Sequence, residues 1–207
     1  MTAIVGLLHP GVMGEALGVA LVGNGHEVLW ASSGRSDATR ARADAASLTD
    51  VVTLDALASR SDIVISICPP EHAATVATDV RAAGFDGMFV DANAIAPETT
   101  KRIAPTVDGG VIGPPPRTFG TTRLYLSGAL AGEVKVLFDG SALDARVLDD
   151  QIGTASALKM AYAAYTKGTA SMTTCSRSGR SPNQTSRRSR TSPPRTPRQR
   201  PGVGSPR

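Results

Sequence analysis

Three groups of residues in this chain could do chemistry. The first is the turn His9-Pro10-Gly11-Val12-Met13-Gly14. Gly11 and Gly14 fill two of the three glycine places of a G-x-G-x-x-G pattern, and His9 stands in the remaining one. Between a strand and a helix, such a turn presents the first unpaired N–H groups of the helix and roughly half a positive charge, which suits a pyrophosphate. Gly11 would let the backbone approach phosphate and Gly14 would let the helix pack near the strand, while His9 and Pro10 stiffen the turn and leave less room. An ordinary βα loop that binds nothing is the competing reading. The second group is Ser32-Ser33-Gly34-Arg35-Ser36, with no carboxylate before Asp37. At the end of a second parallel strand, an acid would select the ribose 2′-OH of NAD; Ser32, Ser33 and Arg35 instead favour the 2′-phosphate of NADP, with NAD as the alternative. A solvated loop whose arginine faces water competes with that reading. The third is Lys159, beside a stripe of Leu158, Ala161, Tyr162 and Tyr165. Pattern alone makes it a surface lysine whose stem covers apolar area.

The elements that must position these groups follow from apolar patterning. Ala3–Leu8 is a short apolar run with β-branched residues and no polar alternation, as expected of a strand buried on both faces. Helical spacing starts at Met13, Asn24-Gly25 turns the chain back, and Glu27–Ala31 reads as the next strand. Helices are expected over Asp37–Ala46 and Leu54–Ser59, then a buried strand over Asp62–Cys68 that Pro69-Pro70 stops. That stop lies at the carboxyl end of the sheet, where ligands bind. Cys68 there reads as a small core residue, with no base nearby in sequence, and His72 as a helix-start residue. Further on come a helix over Glu71–Ala83, a strand over Gly87–Asp91 and a helix over Pro97–Ile103, with strands at Val107–Ile112 and Arg123–Ser127. A helix over Ala129–Phe138, a strand over Ala145–Leu148 and a longer helix from about Gly153 to Lys167 complete the pattern. This alternation argues an α/β fold, a doubly wound, mainly parallel Rossmann-type sheet with right-handed crossovers. Residues 1–150 form the dinucleotide-binding unit, 151–172 begin a helical segment, and 173–207 are a tail.

Composition sets the outer limits. No basic leader precedes the first strand, and no apolar run approaches the roughly 20 residues that cross a bilayer. Cys68 and Cys175 offer neither a disulfide framework nor a metal-ligand spacing, so no metal is expected and a reducing, cytoplasmic setting is the default. The formal net charge of +4 hides a division, because residues 173–207 hold nine arginines and no acid. The rest of the chain is net acidic. The tail has two apolar residues, Cys175 and Val203, and cannot bury a core, so disorder is expected. It could bind nucleic acid nonspecifically by charge, but it has no aromatic residue to stack on bases, and no specific nucleic-acid partner is expected.

Several stretches together resemble the β-hydroxyacid dehydrogenases and their 6-phosphogluconate dehydrogenase relatives, in order and spacing over about 165 residues. Val5–Gly14 resembles the family's I-G-F-I-G-x-G-x-M-G, with Gly6, Gly11, Met13 and Gly14 matching and His9 departing. Asp91–Pro97 resembles D-x-S-T-x-x-P, with Asn93 and Ala94 in the serine and threonine places. Asp108–Pro114 resembles the substrate loop D-A-P-V-S-G-G, with Ile112 where serine stands and Gly113 after it. Gly120–Gly128 resembles the following strand, and Gly153–Lys159 the glycine-rich approach to a catalytic lysine.

The resemblance implies a cofactor held by His9 to Met13, by Ser32, Ser33 and Arg35, by Cys68, Pro69 and Pro70, and by Asn93. It makes Lys159 the acid/base beside the nicotinamide, taking the hydroxyl proton as hydride leaves the same carbon. It places Ile112, Gly113, Tyr162 and Ala163 at a small-molecule substrate. Ala163 stands where the family carries an amide, so with Ile112 the substrate pocket is expected to be less polar than usual. In the family the lysine helix runs on into a helical domain that closes the site and forms a homodimer. The tail composition, which is that of a GC-rich gene read out of frame, predicts a truncated or frameshifted chain lacking that dimer surface; resequencing the locus tests this. The function expected is hydride transfer between NADP and a hydroxy-acid-type substrate. The alternatives are an inactive dinucleotide-binding remnant and a basic-tailed protein associated with nucleic acid.

Overall fold

A computed structural model describes the backbone of residues 2–177 and the side chains of residues 2–166. The expected alternation is realised as eight strands and seven α-helices among those residues. In chain order they are β1 (Ile4–Leu8), α1 (Val12–Gly23), β2 (Glu27–Trp30), α2 (Asp37–Ala45), β3 (Thr49–Asp50), α3 (Leu54–Arg60) and β4 (Ile63–Ser66). A 3-10 turn (Pro70–His72) leads into α4 (Ala73–Ala82), followed by β5 (Met88–Asp91), α5 (Pro97–Ile103), β6 (Val107–Ile112) and β7 (Thr122–Ser127). The last elements are α6 (Ala131–Leu137), β8 (Leu143–Val147) and α7 (Thr154–Arg177).

The strands form one sheet in the order β3-β2-β1-β4-β5-β6-β7-β8. All neighbours run parallel except β6 and β7, which pair antiparallel from Asp108 opposite Ser127 to Ile112 opposite Arg123. The short loop between β6 and β7 permits that reversal without a crossover helix. The strand order changes direction between β1 and β4, and the crevice beyond their carboxyl ends is the ligand-binding position of this architecture.

The apolar runs are unalternated because both faces of the sheet are covered. Leu7, Val28, Trp30 and Ile65 pack on one face with Leu17 and Leu21 of α1. Leu8, Leu29 and Val64, one residue out of step, pack on the other with Leu57, Val76, Val80 and Ile103. Gly18 lets α1 lie against the sheet, since a Cβ there would come 2.9 Å from Leu48 and 3.2 Å from Leu7.

Where the boundaries differ from expectation, the causes are local. β3 is two exposed residues on the sheet edge and carries no apolar signal. The strand expected over Asp62–Cys68 ends at Ser66, because the Cys68 N–H donates to the Asn93 side chain instead of a neighbouring strand. The helix expected from Glu71 opens as a 3-10 turn over Pro70–His72, with proline in its first turn, and becomes α-helical at Ala73. α7 continues to Arg177 and so takes in the first five residues of the expected tail. Residues 178–207, with most of the arginine-rich stretch, lie outside the described residues, as does the side chain of Cys175. Among the described residues no helix is long and apolar enough to cross a membrane.

Candidate cofactor and proton-transfer site

The β1–α1 turn is shaped from within. Gly14 is required by packing, because a Cβ there would meet the His9 carbonyl at 2.7 Å and Ile67 at 3.2 Å. Gly11 is different: its Cβ would meet only the His9 carbonyl, at 3.9 Å. No contact inside the protein calls for glycine there, and the space that a side chain would occupy belongs to a cavity of about 310 Å³. That cavity is lined by His9, Gly11, Val12, Met13, Gly14, Arg35, Thr39, Ile67, Cys68 and Pro69. It lies over the amino end of α1, whose first N–H groups receive no side-chain cap. The acid in that first turn, Glu15, is already paired: Arg117 donates to its two carboxylate oxygens at 2.6 and 3.4 Å. The positive end of the helix therefore remains available to an outside anion.

A second cavity of about 240 Å³ adjoins it, sharing His9 and Arg35 and extending to Ala31, Ser33, Thr53, Leu54, Val76 and Asp79. It sits at the carboxyl ends of β1 and β2, where an adenine ribose belongs in this fold. Arg35 stands between the two cavities with its buried Nε unpartnered, and no hydrogen bond or salt bridge from its guanidinium is found among the described residues. Ser33 lines the groove, whereas Ser32 is buried beneath it. The Ser32 carbonyl accepts from Arg40 at 2.8 Å. Its hydroxyl faces Asp50, where hydrogen bonds from Ser32 and Val52 outweigh burial and hold the carboxyl below its usual range.

His9 departs from the fingerprint in a way that costs energy. Its φ of 66° is left-handed, a region a non-glycine residue enters at a cost of about 1–2 kcal/mol. Its Nδ1 is buried without a partner. Burial, with the nearby charges of Arg35 and His72, pushes the imidazole down to about 4, so it is neutral at physiological pH. The turn is braced from outside by Arg42, whose Nε donates to the Pro10 carbonyl at 3.1 Å.

Cys68 and Pro69 form the opposite lip of the first cavity, and Pro70 is exposed beyond it. Asn93 is a buried clamp rather than a lining residue. Its Oδ1 accepts from the Cys68 N–H at 2.6 Å and its Nδ2 donates to the Ser66 hydroxyl at 3.0 Å. Burial pushes the Cys68 thiol up, which keeps it protonated and makes it a poor nucleophile.

Lys159 lies further along the same edge of the sheet. Its Nζ donates to the Val111 carbonyl at 2.6 Å, near the end of β6, and its Cβ passes close to Gly110. α7 is held there by a carboxylate that sequence reasoning did not single out. Asp108, fully buried on β6, accepts from the N–H groups of Gly153 and Ser156 at 3.0 and 2.9 Å and from the Ser156 hydroxyl at 2.7 Å. The Ser127 hydroxyl reaches it at 3.3 Å and accepts in turn from Ala155 N–H. Asp108 thus caps the amino end of α7 from another strand, a role that only tertiary structure reveals. Beyond its first turn, Leu158, Ala161, Tyr162 and Tyr165 of the expected apolar stripe are exposed. Ile112 and Ala163 are half-buried and Gly113 and Tyr162 exposed, and none of them lines the two cavities.

Comparison with known proteins fits this geometry. Residues 4–94 match the family model of NADP oxidoreductases, coenzyme F420-dependent. A curated relative, an uncharacterized 28.5 kDa protein of Methanothermus fervidus, is 30% identical over 152 residues, covering 70% of this chain and 59% of its own length. A solved conserved protein of unknown function, described as structurally similar to 3-hydroxyacid dehydrogenases, aligns with a TM-score of 0.69 and 31% identity over 85% of this chain and 71% of its own. The chain belongs to the 3-hydroxyacid dehydrogenase-like NAD(P)-dependent oxidoreductases. A reductive aminase from Aspergillus terreus, solved with NADPH and ethyl levulinate, shares the fold at 17% identity and a TM-score of 0.68, over 83% of this chain and 63% of its own. The chain spans about three fifths of the length of its curated relative.

Proposed function

We propose that this chain binds NADP(H) along the groove over β1, β2 and β4, and that Lys159 moves the proton that accompanies hydride transfer to or from a small hydroxy-acid-type substrate. The observation that carries the reading is Arg35. It is a half-buried guanidinium whose Nε lacks a partner, at the end of β2, between a cavity at the helix amino end and one fit for an adenosine. Such a cation is poised for a phosphate, and Gly11, whose Cβ would intrude only on the cavity, fits a pyrophosphate beside it.

The residues divide the work as follows. The α1 N–H groups and Arg35 hold the phosphates, with Ser33 beside the ribose. Asn93 fixes the Cys68–Pro69 lip, and Arg117 keeps Glu15 from competing for the helix end. When bound, the coenzyme supplies the hydride, and the protein contributes placement and charge. Lys159, tied to Val111 and positioned through Asp108, exchanges its Nζ proton with the oxygen of the reacting carbon. Ile112 and Ala163 leave the substrate side apolar, which disfavours highly polar sugars.

The reading is tested by titrating purified protein with NADPH by fluorescence and assaying turnover of short 3-hydroxy acids with NADP+. Coenzyme binding with turnover abolished in Lys159→Met is expected; absence of binding at millimolar coenzyme overturns it. Tight binding without turnover in the unaltered chain favours the inactive remnant. An acceptor turned over only as an imine would move the substrate class to C=N bonds.

A further inference from the structure

His9 joins three observations that the cofactor reading leaves unused. It occupies a left-handed backbone position where the dinucleotide fingerprint places glycine, which would be free of strain there. Its Nδ1 is buried and unpartnered. The residue lines both cavities, as does Arg35, whose Nε is also unpartnered. Strain retained with an unsatisfied polar atom, at the mouth of a binding groove, points to a role for the side chain.

The groups around it come from three parts of the fold. Arg35 and Arg42 approach from the β2–α2 side, Cys68 and His72 from the segment after β4, and Asp79 from α4. Cations outnumber the single acid. A second positive charge on His9 is therefore opposed, and burial together with these charges keeps its imidazole neutral well below its ordinary range. A diphosphate at the amino end of α1, against His9, reverses that balance, because an opposite charge at contact distance favours the protonated ring.

We propose that His9 is a proton-linked ligand of the coenzyme phosphates: on binding, the imidazole takes one proton from solvent and donates an N–H to a phosphate oxygen, so that affinity rises as pH falls. The inference rests on the coenzyme reading above. No bond other than the N–H forms and nothing is oxidised or reduced; coenzyme and one proton enter together. Contact with a phosphate shifts such a group upward by about 1–3 pH units. An imidazole lifted to near its ordinary range would tighten coenzyme binding about tenfold between pH 8 and pH 5.5.

Calorimetry of NADP+ and NAD+ binding, in buffers of unlike ionisation heat at pH 5.5 and 8, measures the affinity and the protons taken up. NAD+ is the cleaner probe, because its diphosphate does not titrate in this range whereas the 2′-phosphate of NADP+ does. The full chain should take up close to one proton per NAD+ at pH 5.5. His9→Gly should still bind, take up none and lose the pH dependence, and it should melt no lower than the unaltered chain, which shows that the turn is intact. Uptake unchanged in His9→Gly, or binding by the unaltered chain with no uptake, overturns the proposal while leaving the coenzyme reading standing. Failure of the unaltered chain to bind either coenzyme overturns both.

Discussion

Replacing Asp108 by alanine tests whether one buried carboxylate positions the proton-transfer helix. Four donors converge on it, and one of them has another outlet. Ser156 Oγ lies 2.8 Å from Thr100 Oγ1, whereas the Ser127 hydroxyl, which accepts from Ala155 N–H, donates to Asp108. The N–H groups of Gly153 and Ser156 have no such recourse, and an orphaned buried donor costs about 1–3 kcal/mol. Loss of a negative charge at a helix amino end adds up to about 2 kcal/mol. Removing a buried charge returns part of this. The balance is a destabilisation of about 3 kcal/mol for Asp108→Ala and about half that for Asp108→Asn, which keeps one acceptor. Because, among the described residues, α7 is buried only through its first turn, at Ala155 and Ser156, the damage should concentrate there and carry Lys159 off β6. Urea denaturation measures the stability, and hydrogen exchange at amides 153–158 locates the loss. Turnover should fall in Asp108→Asn while NADPH affinity stays within a few-fold. An Asp108→Ala protein within 0.5 kcal/mol of wild type, taking 0.5 as roughly the scatter of neutral surface changes, with unaltered protection at 153–158, would refute the capping argument.

Lys159→Met should cost about 100-fold or more in turnover, the usual contribution of a positioned acid or base, and leave coenzyme affinity nearly unchanged. Steady-state rates beside a fluorescence titration separate the two. Arg35→Gln should weaken NADP+ by about 10- to 100-fold, the worth of a hydrogen bond to a charged group, and NAD+ much less; equal losses would place the arginine elsewhere than at a 2′-phosphate. The ligand-free protein should show opposed acid dependences. His9, held down to about 4 from 6.5, penalises the fold increasingly as pH falls below 6.5, and His9→Gly removes that slope. Asp91 is pushed up to about 6, chiefly by burial, against hydrogen bonds from Asn93 and with the Asp108 charge adding to the rise. It binds more protons folded than unfolded, so its penalty grows as pH rises from 3.8 through about 6. Asp91→Asn should raise the melting temperature above pH 6 and change it little below pH 4.

The sheet was legible because burial on both faces writes itself as unbroken apolar runs, as at Ile4–Leu8 and Ile63–Ser66. β3 was not, because Thr49 and Asp50 are two exposed polar residues on the sheet edge and carry no apolar pattern. The glycine turn and the serine-arginine segment were legible as types at fixed places after strands. What those residues touch was not: Ser32 turns inward to Asp50, and Asn93 braces a lip instead of facing the groove. Asp108 was visible only as the first residue of a motif, since its partners lie 19 to 48 positions along the chain. The stripe beside Lys159 reads as a face to be buried, yet in the described residues only the first turn of α7 is covered.

The acids near the binding edge share a pattern that explains why the edge can attract an anion at all. Glu15 is matched by Arg117, Asp108 is consumed by the N–H groups of α7, and Asp50 is held by Ser32 and Val52. Asp91, the one acid here with a buried unpartnered oxygen, is the one that burial drives toward its neutral form. Asp79 is left as the acid that lines the groove. The uncapped end of α1 and Arg35 are not cancelled in this way. A net-acidic body can therefore present a locally positive crevice, because its nearby carboxylates are turned inward to hold the structure while the cationic groups face the groove. Neutralising Arg117 rather than Arg35 would test this from the structural side. Released, Glu15 would place a negative charge one turn into α1, and coenzyme affinity should fall although Arg117 itself lies outside the two cavities.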